Sequence, residues 1–142
     1  MPANVRTALV GIGNCASALV QGVSFYGDLP DEASVPGLMH INFGGYRPGD
    51  IRFVAAFDVN DKKVGLDLSE AIFQQPNNVR RFCSPEKLGV RVLRGPLLDG
   101  VGRYLKPVVK VDRQQHVVSV ADALEETDAD VVVCYLPVGS EK

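Results

Sequence analysis

The feature that most restricts this chain lies near its start. A short β-prone run, Arg6–Val10, stops at Gly11-Ile12-Gly13, and from Asn14 onward the apolar residues change period. Ala16, Leu19, Val20 and Val23 fall at i, i+3, i+4 and i+7, one face of a helix. Gly27 and Pro30 supply stop signals. A strand that passes into a helix through Gly11-Ile12-Gly13-Asn14-Cys15-Ala16 matches the dinucleotide-binding pattern G-x-G-x-x-G/A. Gly11 permits the tight turn, Gly13 lets a pyrophosphate approach the backbone, and Ala16 lets the helix pack closely on the strand. The free N–H groups at Asn14 and Cys15, at the positive end of the helix dipole, would face the phosphates. A glycine-rich turn with no ligand is the alternative.

Asp28–Asp50 breaks all regular period with Pro30, Pro36 and Pro48 among four glycines. A loop of this length inside a compact domain is usually functional or disordered. Ile51–Phe57 is almost wholly apolar and suits a strand buried on both faces. A second helical face follows in Val64, Leu68, Ala71 and Ile72, with Asp61 as its candidate N-cap and Pro76-Asn77-Asn78 as its end. Within Arg80–Lys110, Val90–Leu93 suits a strand, Gly95–Gly102 a loop, and Tyr104–Val111 either strand or helix. Ser119 can cap a helix over Val120–Glu126, and Asp130–Pro137 reads as another buried strand. The alternation predicts an α/β fold with a doubly wound, Rossmann-like parallel sheet, apparently truncated after its fourth strand.

Asp58, ending the second strand, is the expected acceptor for the adenosine ribose hydroxyls, favouring NAD over NADP. It lies further from the glycines than the usual interval of about 20 residues. The Asp28–Asp50 excursion accounts for the surplus if it is an insertion. A solvated acid at the head of a turn is the other reading of Asp58, and Lys62 and Lys63 temper the NAD preference. Tyr135 and Ser140, after the last strand, fall where a fourth strand beside the first would meet ribose or nicotinamide. Gln115, within Gln114–His116, is placed on the adenine side. Cys15 sits where a thiol pKa can fall, but no base partner is identifiable and it reads mainly as a small packing residue.

The 142 residues, 46% hydrophobic and 23% charged, fit one soluble globular domain. A net charge of −2 gives no reason to expect nucleic acid or an anionic membrane as partner. No signal-like start and no membrane-spanning run is present. Cys15, Cys83 and Cys134 form no CxxC pair, so neither a disulfide framework nor a structural zinc site is expected. A reduced, cytoplasmic protein follows. No catalytic constellation and no metal site is recognisable, and His40 and His116 read as packing or surface residues.

Read together, GIGNCAS (Gly11–Ser17), VPGLMH (Val35–His40), FVAAFDV (Phe53–Val59), KVGLDLSEAIF (Lys63–Phe73), GPLLDG (Gly95–Gly100) and VVVCYLPVGSE (Val131–Glu141) carry a resemblance. The chain resembles the N-terminal, NAD-binding part of the actinobacterial and archaeal type of myo-inositol-1-phosphate synthase, or inositol-3-phosphate synthase. The resemblance implies an isomerase of inositol and phospholipid biosynthesis that turns glucose 6-phosphate into 1D-myo-inositol 3-phosphate. Bound NAD⁺ oxidises C5 of the sugar, enolisation and an intramolecular aldol closure follow, and NADH reduces the ketone. It also implies a homotetramer and a divalent metal. The family's catalytic lysines match no position here, so the catalytic and tetramerising half is expected to be absent and this chain alone inactive. A dehydrogenase with another substrate and a non-catalytic NAD-binding module are the alternatives.

Overall fold

The protein is described by a computed structural model over residues 4–98, 100–138 and 140. Gly139 and Glu141 of the last matching segment, Asp99 of GPLLDG, and Lys142 lie outside the described residues.

Strands β1 (Val5–Val10), β2 (Ile51–Asp58), β3 (Val92–Arg94) and β4 (Val131–Cys134) form one parallel sheet in the order β3-β2-β1-β4. The expected α/β, Rossmann-like arrangement is present, with the fourth strand beside the first. Alternate residues of β1 enter opposite faces of the sheet. Leu9 packs with Ile12, Ala16 and Val20 of the α1 side, and with Leu68, Ala71 and Ile72. Ala8 packs on the other face with Ala55, Phe57 and Ala123. Helix α1 (Asn14–Tyr26) runs as its apolar stripe predicts, and α3 (Val120–Glu126) begins where Ser119 accepts from the Asp122 amide.

Four expectations need correction. The second helix is only α2 (Leu68–Ala71), and Asp67, not Asp61, caps it by accepting from the Ser69 amide. Gly65, at φ +89°, interrupts the turns that precede it, and the Asp61 amide instead donates to Lys110 O. Tyr104–Val111 is neither strand nor helix. It is a series of turns closing on an antiparallel bridge between Asn60 and Val111. The third strand starts at Val92, two residues later than Val90. The Val131–Cys134 strand, expected to be buried, leaves Val131 and Val132 43% and 46% exposed at the sheet edge.

Segments without regular structure are held by side chains. Buried Gln21 of α1 accepts from the Phe82 and Cys83 amides and donates to Ser17 Oγ and Arg80 O. The 28–50 segment carries a 3-10 turn at Pro48–Asp50 and a Phe43–Tyr46 bridge. It is strapped by Tyr26 Oη to Pro36 O at 2.9 Å and by an Arg47–Asp31 ion pair at 2.5 Å. No helix among the described residues is long and apolar enough to cross a membrane.

Candidate functional site

Three strand ends meet at one level. The Gly11 amide donates to Phe57 O at 2.9 Å, and the Tyr135 amide donates to Val10 O at 2.8 Å. The turn from β1 into α1 therefore sits between the ends of β2 and β4. Gly11 is at φ +87°, and a Cβ there would meet the Tyr135 backbone at 3.2 Å. Both facts demand glycine. Gly13 differs. Its φ is −103°, open to other residues, and a Cβ would meet nothing within 4 Å. Neither backbone nor packing within the described chain requires glycine at position 13.

Beside this turn lies a cleft of about 400 Å³ whose walls include Gly11, Gly13, Asn14, Cys15, Asp58 and Tyr135. Six of the nine residues singled out from sequence thus line one space. Ala16 is fully buried beneath it in the α1 packing. Cys15 is exposed in the cleft wall and is not a packing residue. Ser140 follows in the loop after β4, its amide donating to Pro137 O. Gln115 lies elsewhere: its side-chain Oε1 accepts from Arg91, its backbone amide donates to Asp112 Oδ1, and its side chain rests near Gly65.

The first N–H groups of α1 have no intrahelical acceptor by helix geometry. Gly13 has no side chain with which to cap them, and the first turn contains no acid. The opening of the helix thus keeps its partial positive charge on the cleft side. Asn14 Oδ1 accepts from the Asn78 amide at 2.9 Å, which brings the 76–78 segment against the same rim. Burial, and to a lesser degree Cys15, pushes the Tyr135 hydroxyl above its usual pKa, so it remains a neutral donor near neutral pH.

Asp58 is more deeply engaged than the sequence suggests. Its Oδ2 accepts from the Ile12 amide at 2.7 Å, and its Oδ1 accepts from the Val59 and Asn60 amides at 2.7 and 2.9 Å. Lys63, which sequence reading treats only as a nearby charge, is almost wholly buried in the same cleft wall. A second, larger cleft of about 860 Å³ adjoins it, lined by Lys106, Lys110 and Arg113 together with Asp61 and Asp112. That basic group was not legible, because the turns of 101–113 bring it together. Among the described residues no cluster of three or more His, Cys, Asp or Glu is placed to hold a metal ion. The divalent metal that the resemblance implies finds no such cluster among the described residues.

Fold and turn together define a Rossmann-like α/β domain in which a glycine-rich turn joins β1 to α1. In sequence the chain is homologous, over nearly its whole length, to inositol-3-phosphate synthases. It is 51% identical over 138 residues to that of Mycobacterium tuberculosis, which covers 97% of this chain and 37% of the relative. Identity is also 51% to that of Mycolicibacterium smegmatis and 46% to that of Corynebacterium glutamicum, each covering 97% of this chain and 38% of the relative. The chain thus spans little more than a third of these proteins. No family model matches it. Among solved structures it is similar to the crystal structure of Ari2, at TM-score 0.72 and 29% identity over 94% of this chain and 38% of that one. A myo-inositol-1-phosphate synthase-related protein from Thermotoga maritima aligns at TM-score 0.55 and 20% identity, over 94% of this chain and 34% of that one. At that identity the likeness concerns the fold alone.

Proposed function

We propose that this chain is the NAD-holding part of an inositol-3-phosphate synthase, binding the dinucleotide across the Gly11–Ala16 turn. The carrying observation is Gly13: the fold leaves the space beside it open, and the residue is glycine although neither its backbone angles nor its neighbours ask for one. A pyrophosphate seated against the turn gives that glycine its reason. The uncapped first turn of α1 supplies N–H donors and a positive field for the phosphates. Asp58, at the end of β2, keeps acceptor capacity for one ribose hydroxyl and repels a 2′-phosphate. Tyr135 and the loop after β4 cover the nicotinamide side.

The fit is to a dinucleotide, and NAD⁺ when bound supplies the reversible oxidation of a sugar carbon. The relatives' name supports placing this part in a whole protein that makes inositol 3-phosphate. The conversion of glucose 6-phosphate to 1D-myo-inositol 3-phosphate by a cytoplasmic homotetramer is what the family resemblance adds to the proposal. The role of the present residues is to orient the cofactor, not to move the sugar's protons.

Calorimetry with NAD and NADP on the unmutated chain and on Gly13→Val tests the reading. The variant should keep its melting behaviour within about 0.5 kcal/mol, as for a substitution into open space, while NAD binding is lost. NADP should bind the unmutated chain more weakly than NAD. Undiminished NAD affinity in Gly13→Val would remove the turn from the site.

A further inference from the structure

We propose that Lys63 is a positioning residue for the phosphate-facing amides of the glycine-rich turn, acting as the cationic half of a bracket whose anionic half is Asp58. The inference rests on the NAD-binding reading above.

The bracket closes on two successive peptide units. The Ile12 N–H, in the Gly11–Ile12 peptide, donates to Asp58 Oδ2 at 2.7 Å. The Ile12 carbonyl, in the Ile12–Gly13 peptide, accepts from Lys63 Nζ, which also reaches Pro76 O at 3.4 Å. In a trans peptide the carbonyl and the following N–H point in opposite directions within one plane. Holding the Ile12 oxygen on the buried ammonium therefore aims the Gly13 N–H away from Lys63. Gly13 has no Cβ to resist rotation of that peptide, and a Cβ would meet nothing on its open side. Without Lys63 the plane is free to flip and turn a carbonyl oxygen toward the phosphates. Lys63 thus decides whether this position presents a donor or an acceptor to an anion.

Lys63 is only 3% exposed, although lysine is seldom buried unless paired. Burial lowers its pKa, and the neighbouring Asp58 carboxylate works against that loss. Its partners are backbone oxygens on either side of the cleft rim, so the residue joins the glycine-rich turn to the 76–78 segment. Buried, and with two of its three donors committed there, Lys63 is not free to reach a 2′-phosphate. The NAD preference assigned to Asp58 is not weakened by it.

The test compares the unmutated chain with Lys63→Met and Lys63→Gln, using NAD and adenosine as probes. Adenosine carries no phosphate. Lys63→Met should lose about ten- to a hundredfold in NAD affinity, the scale of a charge-assisted hydrogen bond, with adenosine affinity unchanged. Lys63→Gln keeps a donor for Ile12 O and should recover part of the loss. Should both variants fail to fold, the Gly13 amide resonance of the unmutated chain remains a direct readout, and it should shift strongly when NAD binds but not with adenosine. NAD binding without that shift overturns the inference. So do equal losses for NAD and adenosine in a folded Lys63→Met chain, or no loss at all. Failure of the unmutated chain to bind NAD would instead overturn the function reading itself.

Discussion

Both oxygens of Asp58 are occupied by backbone amides, three in all, and a carboxylate offers about four acceptor directions. One direction is left for a ribose hydroxyl. An amide side chain there would set N–H donors against amides that are themselves donors, so cofactor preference cannot be altered at Asp58 without disturbing the turn. Asp67 is a second multiply bonded acid. It accepts from the Ser69 amide and hydroxyl and from the Leu88 amide. These bonds outweigh partial burial and hold its pKa below the ordinary 3.8. A lowered carboxylate pKa contributes stability that is complete above 3.8 and is lost as pH falls through the folded value. Asp67→Ala should therefore cost about 1–2 kcal/mol at pH 7, as for loss of an N-cap, and the deficit should shrink on acidification below 3.8. Denaturant melts of both chains at several pH values check this, and a deficit that does not change with pH would dissociate the cap from its charge.

Elements became legible from sequence where one period dominates. The β1–α1 switch and the Ile51–Asp58 run are of that kind, and α3 is marked by Ser119 ahead of an apolar turn. The start of α2 is ambiguous in the sequence because Asp61 and Asp67 are both residues that can cap and Val64 fits the helical stripe. Gly65 was the available signal, since its left-handed backbone ends the first series of turns. Lys63 could not be found that way: its partner Ile12 lies 51 residues off in sequence, and burial of a lysine leaves no periodic mark. The 28–50 segment is anchored on α1 by backbone contact as well as by side chains. A Cβ on Gly49 would come within 2.5 Å of Gly27 O. Gly49→Ala should cost about 1–3 kcal/mol, the usual scale of overpacking, and should open the segment to limited proteolysis before the sheet unfolds. An unchanged cleavage rate and melting curve would show that the strap does not depend on this contact.

Across the whole molecule the sheet ends on one side at β4, where Val131 and Val132 are nearly half exposed and a strand edge offers unpaired backbone groups. Such an edge templates pairing with other chains. The 142-residue chain should associate in a concentration-dependent way, and Val132→Lys should shift sedimentation toward the monomer. Equal association by both chains would remove this edge as the cause. The meeting of strand ends around the glycine-rich turn has another consequence, for the order of events during synthesis. Tyr135 closes on Val10, 125 residues behind it, and Asp58 closes on Ile12, 46 behind. Chains emerge N-terminus first, so the turn leaves the ribosome before the segments that wall it. A nascent chain has no complete pocket for a nucleotide until Tyr135–Pro137 have cleared the exit tunnel, and any stabilisation a ligand gives must arrive after the sheet is threaded, not while it forms.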